Sequence, residues 1–250
     1  MTTTIREPAT SAARPPGDPH ACCVVVMEDV TKIYERDSVA VKALDGVDLE
    51  IFKGDFAVLV GPSGSGKTTL LNMIGGLDTP TSGRVRVRGA DVGALSKSER
   101  SKLRLSSIGF VFQEFNLIPV LSAIENAEFI MLLQGVPAAE RRARASALLT
   151  ELGLAGMEHR RPAELSGGQQ QRVAVARALA GEPIVVLPDE PTANLDSKAG
   201  AALMDMMRRL NEERGATFVF STHDPMVMER AKRVIRLRDG RIEADERRTT

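Results

Sequence analysis

Gly61-Pro62-Ser63-Gly64-Ser65-Gly66-Lys67-Thr68 fits the pattern G-x-x-x-x-G-K-[ST] at every fixed position, and this stretch decides the fold. An apolar run at 57–60 precedes it. A helical pattern at 67–77 follows and stops at Gly75-Gly76. Strand, loop and helix in that order are the context the pattern needs. The glycines let the backbone curl until successive N–H groups point at phosphate oxygens. The start of the following helix adds the positive end of its dipole. In such a loop Lys67 reaches the outer phosphates, and the Thr68 hydroxyl can ligate Mg²⁺.

Outward from the loop, short β-rich runs recur at 24–27, 57–60, 108–112, 184–187 and 217–220. Helical patterns lie between them. Residues 166–180 open on a serine cap, and 196–213 carry Leu203, Met206, Met207 and Leu210 at i, i+3, i+4, i+7. Buried strands alternating with helices predict an α/β fold around a largely parallel sheet. Residues 24–60 and 83–89 read instead as hairpin strands. Arg84-Val85-Arg86-Val87-Arg88 alternates strictly and should be half exposed. The stretch 114–180 is rich in Ala, Leu and Arg and reads as a helical insertion. Its arginines 141, 142 and 144 read as a solvated face beside Glu140 and Glu151. The domain is expected to span 22–243, after a disordered lead at 1–21 and before a charged, fraying tail at 244–250.

A second acidic motif closes the strand at 184–187. Pro188-Asp189-Glu190 puts one carboxylate where it can hold Mg²⁺ and the next where it can polarise water for in-line attack on a phosphate. An acidic pair after a strand says little alone; beside the phosphate loop it says much more. A third motif, Leu165-Ser166-Gly167-Gly168-Gln169, opens another helix and forms a second anion-receiving N-terminus. A plain serine cap explains Ser166 but not both glycines.

Together these segments resemble the nucleotide-binding subunit of ABC transporters, over about 24–242. The resemblance implies a phosphate-loop NTPase core with a parallel sheet, an antiparallel β subdomain and a helical insertion. It also implies residue roles. Tyr34 would stack on adenine. Gly61, Pro62, Ser63, Gly64, Ser65, Gly66, Lys67, Thr68 and Thr69 would hold the phosphates of ATP. Thr68, Gln113 and Asp189 would serve Mg²⁺. Glu190, His223 and Gln113 would act in hydrolysis. Ser166, Gly168 and Gln169 would contact ATP held by a second copy of the chain, with Ala193-Asn194-Leu195-Asp196 crossing the dimer interface. The cycle would drive a transmembrane permease subunit from the cytoplasmic face of the cell membrane.

Gly109-Phe110-Val111-Phe112-Gln113, Phe115-Asn116-Leu117-Ile118-Pro119, the run LSGGQQQR and Asp224-Pro225 are similar to the macrolide-export and lipoprotein-release group. Export or extraction is therefore expected. The alternative is a regulatory or mechanotransmitting ATPase that signals to its membrane partner without moving a substrate. Phe115, Leu117 and Ile118 are expected to line a groove for that partner. Pro188 departs from the family pattern, because proline offers no N–H at the end of a core strand.

Composition narrows the field further. The 250 residues suit one large domain, and 33 Lys plus Arg against 33 Asp plus Glu leave no net charge to hold nucleic acid in bulk. With 4% aromatics, no Trp and one Tyr, a base-stacking module is disfavoured. Cys22 and Cys23 are adjacent and give no disulfide framework, which suits a reducing compartment. The apolar run at 129–133 is far short of the roughly 20 residues that span a bilayer, so no direct membrane span is expected.

Overall fold

The computed structural model describes residues 23–36 and 39–248. The expected disordered lead at 1–21 lies outside the described residues, as do Cys22 and the last two threonines.

The chain opens with a long hairpin, β1 (Cys23–Arg36) and β2 (Val39–Phe52), and continues into β3 (Phe56–Val60). The phosphate loop and α1 (Lys67–Ile74) follow, then β4 (Ser82–Val87), β5 (Ala90–Asp91), α2 (Lys97–Ser107) and β6 (Ile108–Val111). Three helices come next: α3 (Ala123–Leu133), α4 (Ala138–Glu151) and α5 (Gly167–Ala180). The chain then runs through β7 (Val185–Pro188), α6 (Ser197–Arg214), β8 (Phe218–Ser221), α7 (Pro225–Arg230), β9 (Arg233–Arg238) and β10 (Arg241–Arg247).

The strands form two sheets, an antiparallel one in the order β2-β1-β4-β5 and a second in the order β10-β9-β3-β8-β7-β6. In the second, every pair is parallel except β9 with β10. The strands of the parallel core read as unbroken apolar runs because both faces are buried. Their pleat still sorts the side chains. Phe56, Val58, Val60, Phe218, Phe220 and Val186 enter one core with α3, α5 and α6. Ala57, Leu59, Val219, Val185 and Leu187 enter the other, with α1 and the antiparallel sheet.

Two expectations change. The hairpin reading holds for 23–52 but not for 56–60. Gly54 turns the chain at φ 81°, and the fully buried β3 pairs with β8 and β9 in the parallel sheet. The charged tail does not fray at 244: β10 runs to Arg247. Arg233 is the reason. Its guanidinium is buried and bonds Asp245 through Nε at 2.7 Å and Nη2 at 2.5 Å, while Nη1 holds Asp55 at 2.6 Å. Losing one partner of a buried pair is costly, so the strand is stapled in place.

The stretch 114–180 is helical as expected. Arg142 and Arg144 lie on an exposed face, with Glu140 beside Arg144 as expected, and all three arginines also find acidic partners. Arg141 and Arg142 both reach the buried Glu128, and Arg144 reaches Glu140 and Glu182. Glu151 is held by Arg214. Among the described residues no helix is long and apolar enough to cross a membrane.

Candidate ATP-binding and hydrolysis site

The site lies across the C-terminal ends of four adjacent strands, β3, β8, β7 and β6, where ligands of open α/β sheets collect. The phosphate loop leaves β3. Gly61 takes φ 156°, where a Cβ would stand 2.1 Å from the Leu237 carbonyl oxygen; Gly66 takes φ 102°, where one would stand 2.5 Å from that of Ala43. Only glycine permits so close a return of the backbone. The turn between β9 and β10 supports the loop from behind. Gly240 N–H donates to the Ser65 carbonyl at 3.2 Å, and Asp45 N–H donates to that of Gly240 at 2.9 Å. Ser65 is buried, and its hydroxyl has no hydrogen-bond partner among the described residues.

Helix α1 starts at the left-handed Gly66 with no side-chain cap, whereas α2, α3 and α5 each carry a capping box. Its first N–H groups face the loop. Lys67 Nζ lies across the loop, donating to the carbonyls of Gly61 at 2.8 Å and Pro62 at 3.0 Å. Pro62, Ser63, Gly64 and Thr68 are exposed.

The acidic pair is set by its backbone. Asp189 N–H donates to Val111 of β6, and Glu190 N–H to Ser221 of β8, each at 2.9 Å. Successive residues thus tie to opposite neighbours. Gln113, two residues beyond β6, and His223, two beyond β8, flank the carboxylates. Burial pushes the Asp189 carboxyl up, the Ser221 hydroxyl opposes this, the Glu190 charge adds to it, and Lys67 pulls the other way. Glu190 has φ 47°, a disfavoured conformation for a side-chain-bearing residue. Its carboxylate accepts from Thr222 Oγ1 at 3.1 Å and meets His223 Nδ1 at 2.8 Å. Thr222 Oγ1 accepts from Asp224 N–H at 3.0 Å, and Thr192 Oγ1 donates to the Asp224 carboxylate at 3.1 Å.

Tyr34 stands near the end of β1, beyond its pairing with β4, and is about one-third exposed. Its hydroxyl donates to Asp78 at 2.9 Å, and Lys32 Nζ sits 4.9 Å from its ring centre. Burial first, then Asp78, raises the Tyr34 pKa, and the Thr69 hydroxyl acts against them. Tyr34 is thereby connected to the start of α1.

Ser166 caps α5. Its hydroxyl accepts from Gln169 N–H at 3.3 Å, and Gln169 Oε1 accepts from Ser166 N–H at 2.9 Å. Beside this turn is a cleft of about 320 Å³ lined by Ser166, Gly168, Gln169, Arg172, Asn194 and Asp196, with no phosphate-loop residue among its walls. A Cβ on Gly167 would come to 3.7 Å from the Asn194 carbonyl, and one on Gly168 to 3.5 Å from Ala199 Cβ. Both are ordinary contact distances, so the fold of this chain alone does not demand glycine at either position. Asn194 Nδ2 also donates to the Gln113 carbonyl at 2.9 Å.

The structure therefore gathers Gly61 through Thr69, Gln113, Asp189, Glu190 and His223 at one sheet edge, and sets Ser166, Gly168 and Gln169 at a separate cleft. Sequence reading missed Ser221 and Thr222, which bind the two carboxylates. Polar residues ending the apolar run 217–220 were their signal. Of the residues expected to line a docking groove, Leu117 packs against the larger core, and Phe115 and Ile118 are half buried; Val120, which was not among them, is 72% exposed.

Known proteins agree with this geometry. Residues 44–193 match the ABC transporter family. The lipoprotein-releasing system ATP-binding protein LolD of Anaeromyxobacter dehalogenans is 47% identical over 229 residues, covering 91% of this chain and 96% of that one. The macrolide export ATP-binding/permease protein MacB of Syntrophobacter fumaroxidans is 46% identical over 89% of this chain, which spans only 31% of that protein. The ATP-binding cassette MJ0796, solved as a dimer in a post-hydrolysis state with ADP and Pi, superposes with a TM-score of 0.82 at 44% identity, covering 90% of this chain and all of that one. The chain belongs to the ABC transporter family, as an ATP-binding subunit that hydrolyses ATP.

Proposed function

We propose that the chain acts as one half of a head-to-tail dimer that closes on two ATP molecules and drives a transmembrane permease in export or extraction, from the cytoplasmic face of the cell membrane. One observation carries this reading. The chain has two glycine-bearing helix N-termini, at α1 and α5, and the cleft at α5 has no phosphate-loop residue among its walls. A single nucleotide on the phosphate loop leaves the α5 cleft unused, and a second copy supplies what fills it. The likeness to a dimeric cassette, and to proteins named for macrolide export and lipoprotein release, supports the same reading.

In this reading the phosphate-loop N–H groups, Lys67, Thr68 and Thr69 hold the ATP phosphates, and Tyr34 takes the adenine. The Thr68 hydroxyl, the Asp189 carboxylate and the Gln113 amide oxygen are hard oxygen donors from three elements and suit Mg²⁺. The raised Asp189 pKa marks a carboxylate whose charge is under-compensated within the chain itself. When bound, Mg²⁺ would neutralise charge on the phosphates. Glu190 takes the proton of the attacking water. The His223 ring is fixed through Nδ1, which leaves Nε2 for the γ-phosphate. Ser166, Gly168 and Gln169 serve the partner's nucleotide, and closure excludes water.

Mixing a Lys67→Ala chain with a Ser166→Arg chain tests the arrangement. The mixed dimer has one composite site with both lesions and one with neither. Each homodimer should be inactive, and the mixture should regain part of the turnover. A demonstrated mixed dimer with no recovery refutes independent trans sites.

A further inference from the structure

The segment from β6 to α3 is built against an arginine that makes no ion pair among the described residues. Arg177, in the last turn of α5, donates from Nη2 to the Phe115 carbonyl at 2.9 Å and from Nη1 to the Asn116 carbonyl at 2.5 Å. Both receiving residues are left-handed, with φ 60° and 48°. Neither is glycine, and two such residues in succession need an outside hold. Burial pulls the Arg177 pKa down, with no acidic group opposing it. A planar fork with several donors can meet two successive carbonyls at once, which an ammonium cannot do in the same geometry.

The segment is tied on both sides of this clamp. Upstream, Asn194 holds the Gln113 carbonyl. Downstream, the buried Asn126 accepts from Ile118 N–H at 2.8 Å and donates to the carbonyls of Ile118, Leu121 and Ser122. Between these ties, the bend at Phe115 and Asn116 carries two short-range bonds, Phe115 N–H to the Phe112 carbonyl at 3.2 Å and Asn116 N–H to that of Glu114 at 2.6 Å, and Arg177 is the side chain that holds its two carbonyls from outside.

We propose that Arg177 is the positioning residue of the Gln113 loop: its fork fixes the left-handed pair at 115–116 and so aims the Gln113 side chain at the nucleotide. The proposal rests on the reading of Gln113 as the group that meets the cation and the attacking water. It adds a physical connection, because Arg177 rides on the helix that Ser166 caps. Arg177 lies eleven steps along the helix from Ser166, roughly 16 Å.

The test uses the full-length chain, with steady-state ATPase measured against ATP and against Mg²⁺. The expected results for single variants are a roughly tenfold fall in kcat for Gln113→Ala, and a similar fall for Arg177→Gln with ATP KM within about threefold. The double variant should be no worse than Gln113→Ala within about twofold, because both changes remove one function. Asn116→Gly in the Arg177→Gln background should return much of the lost kcat, because glycine takes φ near 50° without a clamp. Additive losses in the double variant, or wild-type kcat in Arg177→Gln, overturn the proposal. If Gln113→Ala keeps full turnover, the reading of Gln113 falls and takes the proposal with it. Should Arg177→Gln fail to fold, Arg177→Lys decides: an intermediate kcat that Asn116→Gly raises supports the clamp, and wild-type kcat overturns it.

Discussion

Replacing Thr222 by valine should slow hydrolysis while leaving ATP binding intact. Thr222 is buried, and its single hydroxyl makes two bonds, one to the Glu190 carboxylate and one from Asp224 N–H. Valine keeps the branched shape and deletes both. A buried polar group left without a partner costs about 1–3 kcal/mol. Glu190 and Asp224 are only partly buried, so the low end applies, about 1–2 kcal/mol. For a chain of this size roughly 2–4 °C follows each kcal/mol, which puts the melting point down by about 2–8 °C. The protein stays folded.

The kinetic effect follows from the same bonds. Glu190 keeps its contact with His223 at 2.8 Å but loses the one that fixes the other oxygen. If about 1–2 kcal/mol of that orientation is absent at the transition state, kcat falls roughly 5- to 30-fold. That is less than the roughly 10²- to 10⁴-fold expected for removing a general base. ATP KM should hold, because Thr222 makes no bond to the phosphate loop. Phosphate release at saturating ATP gives kcat, and Thr222→Ser restores both bonds and should recover it to within about twofold. Wild-type kcat in Thr222→Val, or a serine variant as slow as the valine one, refutes the reasoning.

Glu190→Gln should keep ATP affinity, lose turnover by roughly 10²- to 10⁴-fold, and trap an ATP-bound dimer visible by gel filtration; full turnover would remove Glu190 from its role. Asp189→Asn should abolish Mg²⁺-dependent hydrolysis yet raise the melting point near pH 7. Burial and the Glu190 charge lift the Asp189 pKa, so this group favours the fold when protonated and loses that contribution as pH rises through its folded-state pKa. Wild type and variant should converge in acid, and a lower melting point for the variant at neutral pH contradicts the argument. Pro188 interrupts the ladder between Val186 N–H to Thr217 and Glu190 N–H to Ser221, where the alternating pattern of parallel strands aims the missing rung at Val219. Pro188→Ala restores a bond of about 0.5–1.5 kcal/mol and forfeits about 0.4–1 kcal/mol of chain restriction. Its melting point should therefore stay within about 3 °C, with hydrolysis equal or slightly faster; a large loss of either shows that the proline is required.

The residues proposed to face the nucleotide could be picked out because their chemistry restricts both type and spacing. A loop that must bend through Gly61 and Gly66 and present Lys67 has few alternatives, and carboxylates at strand ends are easy to see after apolar runs. The signature glycines were legible for the same reason. What the sequence hid were partners distant along the chain. Arg241, Glu243, Asp245 and Arg247 look like a solvated tail until Arg233 is seen across the hairpin, joined to Asp245. Arg141 and Arg142 read as surface charge because Glu128 sits on another helix. Arg177 reads as an ordinary last-turn arginine, and only the fold shows that its acceptors are carbonyls some sixty residues away.

Helix α5 ties these observations together. At its start, Ser166 and Gln169 close the cap that borders the cleft. One turn on, the fully buried Gln171 donates to the Pro191 carbonyl at 2.9 Å, one residue past Glu190. In its last turn, Arg177 holds the carbonyls of Phe115 and Asn116, two and three residues past Gln113. A 14-residue helix is a stiff rod of about 21 Å, so these three attachments keep fixed spacing. The phosphate loop is supported separately, by Gly240 and by the β2 backbone around Ala43. The side chains of α5 thus hold the Glu190 turn and the segment after Gln113, whereas the contacts that support the phosphate loop come from other elements. In the proposed head-to-tail pair, the nucleotide held by one subunit would meet the end of a helix whose other attachments are the turn after Glu190 and the loop after Gln113 in its partner.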